Sequence, residues 1–457
     1  MSGVSAPPRT SLLDAVTVRA EGDTSLSDLR APGAAKAAAR AELGLPVDRP
    51  IVMVGHQAEI WHAGILAKLI AAHQIAQQHD AALVWLTPDQ DDNEPTMLGY
   101  PAETHEGRLK RRDWLIDPNA FVRRGTPTGS RTAMEPSVVP RVARTEWPLE
   151  KVRTGLERIR DALLARQGEA SLAMQFTHAA LDLARKALGI EVDHVVACST
   201  MARGSAFRMW AERMHRDVKD CVLAYNAAAQ ALPDAHVRQL SMGPDWELPL
   251  WALTPDRPRA TIHGNGDMPS RFAPRALAMT GFARTLLCDA WVMGTGGELY
   301  DEVTRRWLSA WMGQVELSPG LIATATLHLA MRDGPLPNPA EAARAAWTAH
   351  HAHHHPGRLG QEERQREREA IVSEMQRAPR RSRHRRALFT QLRDVMRAAH
   401  ADGADMLGQL ERAAAIERER LRDKDCLLDR TWPFALHDES ALRELDTSVR
   451  SALGAIA

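Results

Sequence analysis

The chain has 457 residues, 44% of them hydrophobic, more than one core usually serves at roughly 100–200 residues per domain, so two or three structural units are expected. Lys plus Arg and Asp plus Glu both total 58, a balance that leaves no global positive field for nucleic acid or an acidic membrane. Four scattered cysteines (Cys198, Cys221, Cys288 and Cys426) without a C-x-x-C pair argue against a disulfide scaffold, and neither a leader-like start nor a bilayer-length apolar run is found, so a cytoplasmic protein is expected.

In chain order, residues 1–50 are rich in Ala, Pro and Ser and read as a lead-in, with one helical stretch from Ala34 to Leu43. Ile51-Val52-Met53-Val54 reads as a short buried strand. Ile65, Leu69, Ile70 and His73 then repeat at helical spacing, and Ala82 to Leu86 forms a second buried strand, which together fill the ~30 residues of a strand-helix-strand crossover. Residues 99–147 are polar and broken by prolines, the pattern of an insertion beside the sheet. Glu150 to Leu188 is strongly helical; Val192 to Ala197 is a further strand; one long amphipathic helix is expected from Ser205 to Gln230. A second insertion, 240–270, holds a short antiparallel pair at Trp246–Trp251 and Arg259–His263. Leu286 to Met293 is again apolar and leads through a glycine loop into a helix.

From about Pro335 the composition shifts. Residues 335–425 are dominated by Arg, Glu, Gln and Ala with a narrow apolar stripe, which predicts paired helices, as a hairpin or coiled coil, with Asp402-Gly403 as the bend and a homodimer through these helices as one outcome. Residues 426–457 regain a globular pattern and are expected to return to the core formed by 51–334. The expected fold is therefore α/β: a parallel-sheet core with insertions plus a C-terminal α-helical coiled-coil hairpin.

Three polar clusters fall just after strands. In an open parallel sheet the carboxyl ends of the strands share one edge, where ligands bind, so these clusters are expected to face one crevice. The first is Gly55-His56-Gln57 with His62-Ala63-Gly64, where a helix start offers free N–H groups and a dipole to an anion. The second places Asp89, Asp91, Asp92 and Glu94 within six residues, a density that suits a general base, an amine or a divalent cation. The third, Gly294-Thr295-Gly296-Gly297-Glu298, lets a ligand approach the backbone closely. His350, His351, His353, His354 and His355 read as a linker, and the six arginines from Arg377 to Arg386 as a solvated helix face, so no residue is assigned to a metal.

Taken in order, these segments resemble the bacillithiol-synthesising cysteine ligase family. Val54-Gly55-His56-Gln57-Ala58 and the Trp61–Leu66 turn are similar to its T-G-Q-Q-A and F/L-T-G-P-L signature. Trp85 to Glu94 is similar to W-I-A-G-E-D-H-D-F-E, and Arg275 with Leu286 to Tyr300 to its R-P and L-P…A-Y-V-G-G-P-G-E-I segments. His56 stands where the family has Gln, and Asp91 where it has His. The resemblance implies a Rossmann-like core joined to a coiled coil, and amide formation between cysteine and an amino-sugar acceptor such as glucosaminyl-malate. Activation of the cysteine carboxylate points to ATP as a candidate cofactor, and the clusters supply the candidate residues: Asp89, Asp91, Asp92 and Glu94 as catalytic groups, and Gly55, His56, Gln57, His62, Gly64, Arg275, Gly294, Gly296, Gly297 and Glu298 as the binding set. Two other readings stay open: a nucleotidyltransferase-like enzyme acting on another acid or amine, and a non-catalytic scaffold.

Overall fold

The computed structural model describes residues 12–21, 26, 29–117, 125–140, 146–254, 258–333 and 336–455. Parts of the expected lead-in (1–11, 22–25 and 27–28) and of the first insertion (118–124 and 141–145), and Pro335, lie outside them. The chain divides into two compact units: a helical one built mainly from Arg332–Leu428, and a larger mixed α/β one from Ser11–Gly107, Arg111–Met331 and Asp429–Ala457.

The larger unit is organised on a mostly parallel six-stranded sheet. The strands in chain order are β1 (Leu13–Ala20), β2 (Ile51–Gly55), β3 (Ala82–Thr87), β4 (Met97–Thr104), β5 (Leu109–Leu115), β6 (Glu146–Pro148), β7 (His194–Ala197), β8 (Glu247–Ala252), β9 (Ala260–His263), β10 (Phe272–Pro274), β11 (Ala290–Met293) and β12 (Gly320–Leu327). The main sheet runs β1-β12-β11-β2-β3-β7, parallel throughout except for β1, which is antiparallel to β12. Ile51 to Val54 have no exposed surface. A strand covered on both faces has no need of polar alternation, so a continuous apolar run is what the sequence must supply there.

Two crossovers set the geometry. The helix Ala63–Gln78 carries the chain from β2 outward to its neighbour β3, and the helix Thr295–Met312 carries it from β11 outward in the other direction to β12. Right-handed connections that leave in opposite directions must lie on opposite faces of the sheet. The packing agrees: Val303, Trp307 and Leu308 join the core that covers Ile51, Met53, Val84 and Leu86, whereas Trp61, at the start of the other crossover, stacks on Trp85 at 4.2 Å. The reversal of winding falls between β2 and β11, and at such a point the flanking loops part and leave a crevice at the carboxyl ends.

Pieces distant in sequence complete this sheet. The edge pair β1–β12, with Leu13 opposite Leu327, was not foreseen from the sequence. The helix Glu439–Gly454 packs on Ala63–Gln78 and on β1, and Phe434 N donates to Trp61 O at 2.7 Å. The expected helix from Ser205 to Gln230 is two helices, Ser205–Arg216 and Val218–Ala231, broken at Asp217. The first insertion forms a three-stranded sheet, β5-β4-β6, and the second a sheet ordered β10-β8-β9.

In the helical unit, Glu362–Arg377 packs against Arg383–Asp402 around Ile371, Ala378 and Leu388. Ala404–Arg422 packs mainly on Pro339–Ala352. The chain reverses at 378–382, where Arg381 takes φ +66°; at the expected bend, Asp402-Gly403, the helix is interrupted, with Arg383–Asp402 ending and Ala404–Arg422 beginning. Gly403 has φ −99° and ψ 12°, so it makes no use of glycine's left-handed region.

Gly55 offers a direct test of the β2–β3 approach. A Cβ at this position would stand 2.3 Å from Leu86 O, a backbone atom that cannot rotate away. Gly55→Ala is expected to destabilise the chain at or above the upper end of the roughly 1–3 kcal/mol that overpacking costs. Gly296→Ala, whose Cβ would meet nothing within 4 Å, is expected to be neutral or stabilising; equal urea midpoints for the two variants would contradict this packing.

Candidate functional site

β2 ends in Gly55-His56-Gln57 and β3 in Pro88-Asp89-Gln90-Asp91, and their parallel register sets Gly55 beside Leu86, so both loops leave the same edge. Gln57 Nε2 donates to Asp91 Oδ2 at 2.7 Å, which joins the first two expected clusters directly. Asn93 Nδ2 reaches back to Ala58 O at 2.9 Å and adds a second tie.

The four carboxylates occupy different surroundings. Asp89 is buried. It accepts from Ser199 N at 2.8 Å and from Ser199 Oγ, and Gly129 N donates to its carbonyl at 2.7 Å. Burial pushes its pKa upward, and the two bonds from Ser199 oppose that push. Asp91 and Asp92 are bridged by one guanidinium: Arg259 donates at 2.7 Å to each, and to Gln90 O at 2.9 Å. Glu94 is held by buried Arg131 at 3.0 Å. Asp92 is the one exposed member of the four.

Arg259 also lies over the Trp251 ring at 4.6 Å, and Arg275 lies over the same ring at 3.9 Å. A guanidinium over an indole gains about 0.5–2 kcal/mol and is held flat. Arg275 is thus linked to the acidic loop through Trp251 and Arg259, while its own guanidinium donates to Glu247 at 2.7 Å. Bonds from Ser241, Arg275 and Arg238 hold the Glu247 carboxyl at about 2, against the opposing effect of burial.

On the β11 side of the crevice the chain passes from Met293 through Gly294 into the helix Thr295–Met312, whose amino end has no side-chain cap. Thr295 and Gly296 are exposed. Glu298 pairs with Arg19 of β1 and so braces the helix against the sheet edge. His62 Nδ1 accepts from Gly64 N at 3.1 Å and caps the helix Ala63–Gln78. Burial, with Arg430 and Lys68 nearby, lowers its pKa to about 4, so the ring is neutral with its proton on Nε2. Gly64 is needed for close packing, because a Cβ there would stand 3.0 Å from Ala325 O.

A group not singled out from the sequence lies between these loops. Lys68, one turn into the same helix, is buried and donates from Nζ to Gly55 O at 2.8 Å. A Cβ on Gly294 would touch its Cδ at 3.8 Å. Burial brings its pKa down to about 8, with Glu59 opposing; Glu59 is itself pushed up to about 7 by burial. His56 is driven well below its usual value by burial and by Lys68. Its Nδ1 comes within 3.3 Å of Glu59 without forming a hydrogen bond.

The structure therefore connects Gly55, His56, Gln57, Asp91, Asp92 and Gly294, adds Arg259, Trp251 and Lys68, and leaves Glu94 and Glu298 in peripheral ion pairs. One large cleft, of about 670 Å³ and lined by Gly33, Lys36, Asp289 and Ser318, lies at the opposite, amino end of β11 and β12 and contains none of the expected residues. No protein-family model matches this chain, and no curated protein matches its sequence.

The Glu247 carboxylate gives a pH prediction. Its folded pKa lies below the ordinary value, so between about 4.5 and 2 the unfolded chain binds more protons and stability falls as pH falls. Glu247→Gln is expected to remove up to about 3 kcal/mol at neutral pH, from the shift at ~1.4 kcal/mol per unit, and to flatten the acid limb in that window. An unchanged limb in urea titrations from pH 5 to 2 would remove Glu247 as its source.

Proposed function

We propose that this chain is an amide-forming ligase that joins the carboxyl group of cysteine to the amine of an amino-sugar conjugate such as glucosaminyl-malate. In this reading the large unit is a Rossmann-like core and the 335–425 helices are a coiled-coil appendage through which two copies associate. The observation that carries the proposal is the Gln57–Asp91–Arg259 connection, which gathers the loops after β2 and β3 and the β8–β9 segment around one crevice. The loops after β2 and β3 are two of the segments on which the resemblance to the cysteine ligase family rests; Arg259 lies outside them.

A carboxylate does not condense with an amine unaided, since its oxygen is a poor leaving group. ATP would supply the activation, by passing a phosphoryl or adenylyl group to a carboxylate oxygen of cysteine. The uncapped start of the helix Thr295–Met312, with the Lys68 ammonium beside it, has the charge and free N–H groups that fit the nucleotide's phosphates. The acceptor nitrogen then attacks the acyl carbon. A C–N bond forms, the C–O bond to phosphate or AMP breaks, and the nitrogen gives up a proton. Asp92, the accessible carboxylate, is the group placed to take that proton, and Arg259 orients it. Gln57 and Asp91 hold the two loops in register beside it.

Purified full-length chain given ATP, cysteine and glucosaminyl-malate is expected to yield, by mass spectrometry, the sum of the two substrates less one water. Asp92→Asn should lower kcat about 100-fold, the scale of a lost general base, at an unchanged melting temperature. ATP turnover indifferent to cysteine, or no product with wild-type protein, would overturn the assignment.

A further inference from the structure

We infer that His350 and His354, at the end of the helix Pro339–Ala352, form a two-imidazole site for a divalent transition ion, zinc above all. The site belongs to the helical unit and stands whether or not the ligase reading holds.

The histidine stretch, expected as a linker, continues the helix instead. His353 takes helical angles, φ −63° and ψ −19°, and His354 N donates to His351 O at 3.0 Å. Side chains four positions apart on a helix share a face. His350 and His354 do so, with ring centroids 5.3 Å apart. Two imidazoles on one tetrahedral zinc, with Zn–N bonds of about 2.1 Å, have their centroids about 5.2 Å apart. The backbone thus already sets the pair at the separation a shared ion requires. Both side chains are exposed, so the rings turn about their last torsion at little cost to face one point.

The five histidines of the stretch are not equivalent. The His351 ring stacks on Trp347 with centroids 4.0 Å apart, and its Nδ1 lies 2.8 Å from Trp347 O. His353 pairs through Nε2 with Glu411 at 2.9 Å, and its carbonyl accepts from His400 Nε2 at 2.9 Å. His355 stacks on His351 with centroids 6.1 Å apart. Packing and hydrogen bonding therefore account for these three. The ring nitrogens of His350 and His354 make no hydrogen bond among the described residues.

The donor set fixes the kind of ion. Imidazole nitrogen suits zinc, copper and nickel, whereas magnesium and calcium take oxygen. No group of three or more ligating side chains is placed to hold an ion among the described residues. The pair thus supplies two positions and water fills the others. An ion shared by both rings ties the last turn of the helix to the turn that follows it, and so raises the stability of the folded unit as it binds.

Zinc chloride titrated into the full-length chain, free of any affinity tag and at about pH 7.5, where imidazole is mostly neutral, tests the site by calorimetry. The tightest event is expected to saturate at one ion per chain, to raise the melting temperature, and to have no counterpart with magnesium. His350→Ala and His354→Ala should each weaken it at least about tenfold, since even the supporting residues of metal sites act on that scale. His355→Ala should leave the affinity as in wild type. The replaced side chains are not buried, so all three variants are expected to melt as wild type does without metal. No saturable zinc binding, zinc bound by His350→Ala or His354→Ala as by wild type, or an equal loss in His355→Ala, which would mean diffuse capture by the whole stretch, overturns the site.

Discussion

The reversal of winding between β2 and β11 is the constraint from which the rest of the large unit follows. Both strands pair in parallel through residues with almost no exposure, Ile51–Val54 and Ala290–Val292, so neither can slip by one residue without turning its apolar set to the wrong face. Once they are side by side and the chain leaves each in the opposite direction, the two crossover helices must take opposite faces. The carboxyl-terminal loops then have no neighbour to cross, and they part. Gly55 and Gly294 stand at that parting. At Gly55 the close approach of Leu86 O forbids a side chain, so the sequence has a reason for glycine that is independent of any ligand.

The electrostatics of the crevice are asymmetric. Along the β3 side each acid is met by donors from another part of the chain: Asp89 by Ser199, Asp91 and Asp92 by Arg259, Glu94 by Arg131. Such pairs cost desolvation and gain Coulomb energy in similar amounts, so their net contribution to stability is small, but removing one partner leaves a buried charge exposed to the full penalty. Their consequence is positional. Arg259, flattened on Trp251, fixes where the acidic loop stands relative to the β8–β9 hairpin. Along the β11 side the first turn of the helix Thr295–Met312 carries Glu298, paired with Arg19, and the buried Lys68 ammonium has Glu59 as its electrostatic partner. A cluster that looks acidic in sequence thus presents a field to ligands that is set as much by its cations.

Elements whose signal is local were legible in the sequence. The continuous apolar runs at β2 and β3 and the spacing of Ile65, Leu69 and Ile70 carry their structural meaning within a few residues, whereas of the expected loop Gly294–Glu298 only Gly294 precedes the helix and the rest is its first turn. The edge pair β1–β12 does not: β1 is a half-exposed strand, and its partner lies some three hundred positions away. The break at Asp217 is marked by neither Gly nor Pro, so two helices read as one. Gly403 does mark a helix interruption, with a φ open to any residue, but the reversal of the chain comes at 378–382, which has a proline, Pro379, and no glycine. Among site residues, the acids were visible as a cluster, but Ser199, Arg131 and Arg259 carry no signal that ties them to it. Lys68 did carry one, as the lone charged residue within Ala63–Ala72, and a charge in a helix that is otherwise buried all round should prompt the question of what balances it.

That question bears on how the helix Ala63–Gln78 is stabilised. Twelve of its residues are buried, so it has no solvent face on which a lysine could extend its ammonium into water. A leucine or methionine at 68 would pack on Gly294 and cost nothing in desolvation, and buried ions replaced by apolar groups of like volume commonly give more stable proteins. Lys68 therefore sits where packing alone would favour another residue. Its ammonium donates to Gly55 O, and what a cation adds over a neutral hydroxyl at this position is attraction for the neighbouring Glu59 carboxylate, whose pKa it lowers against the push of burial.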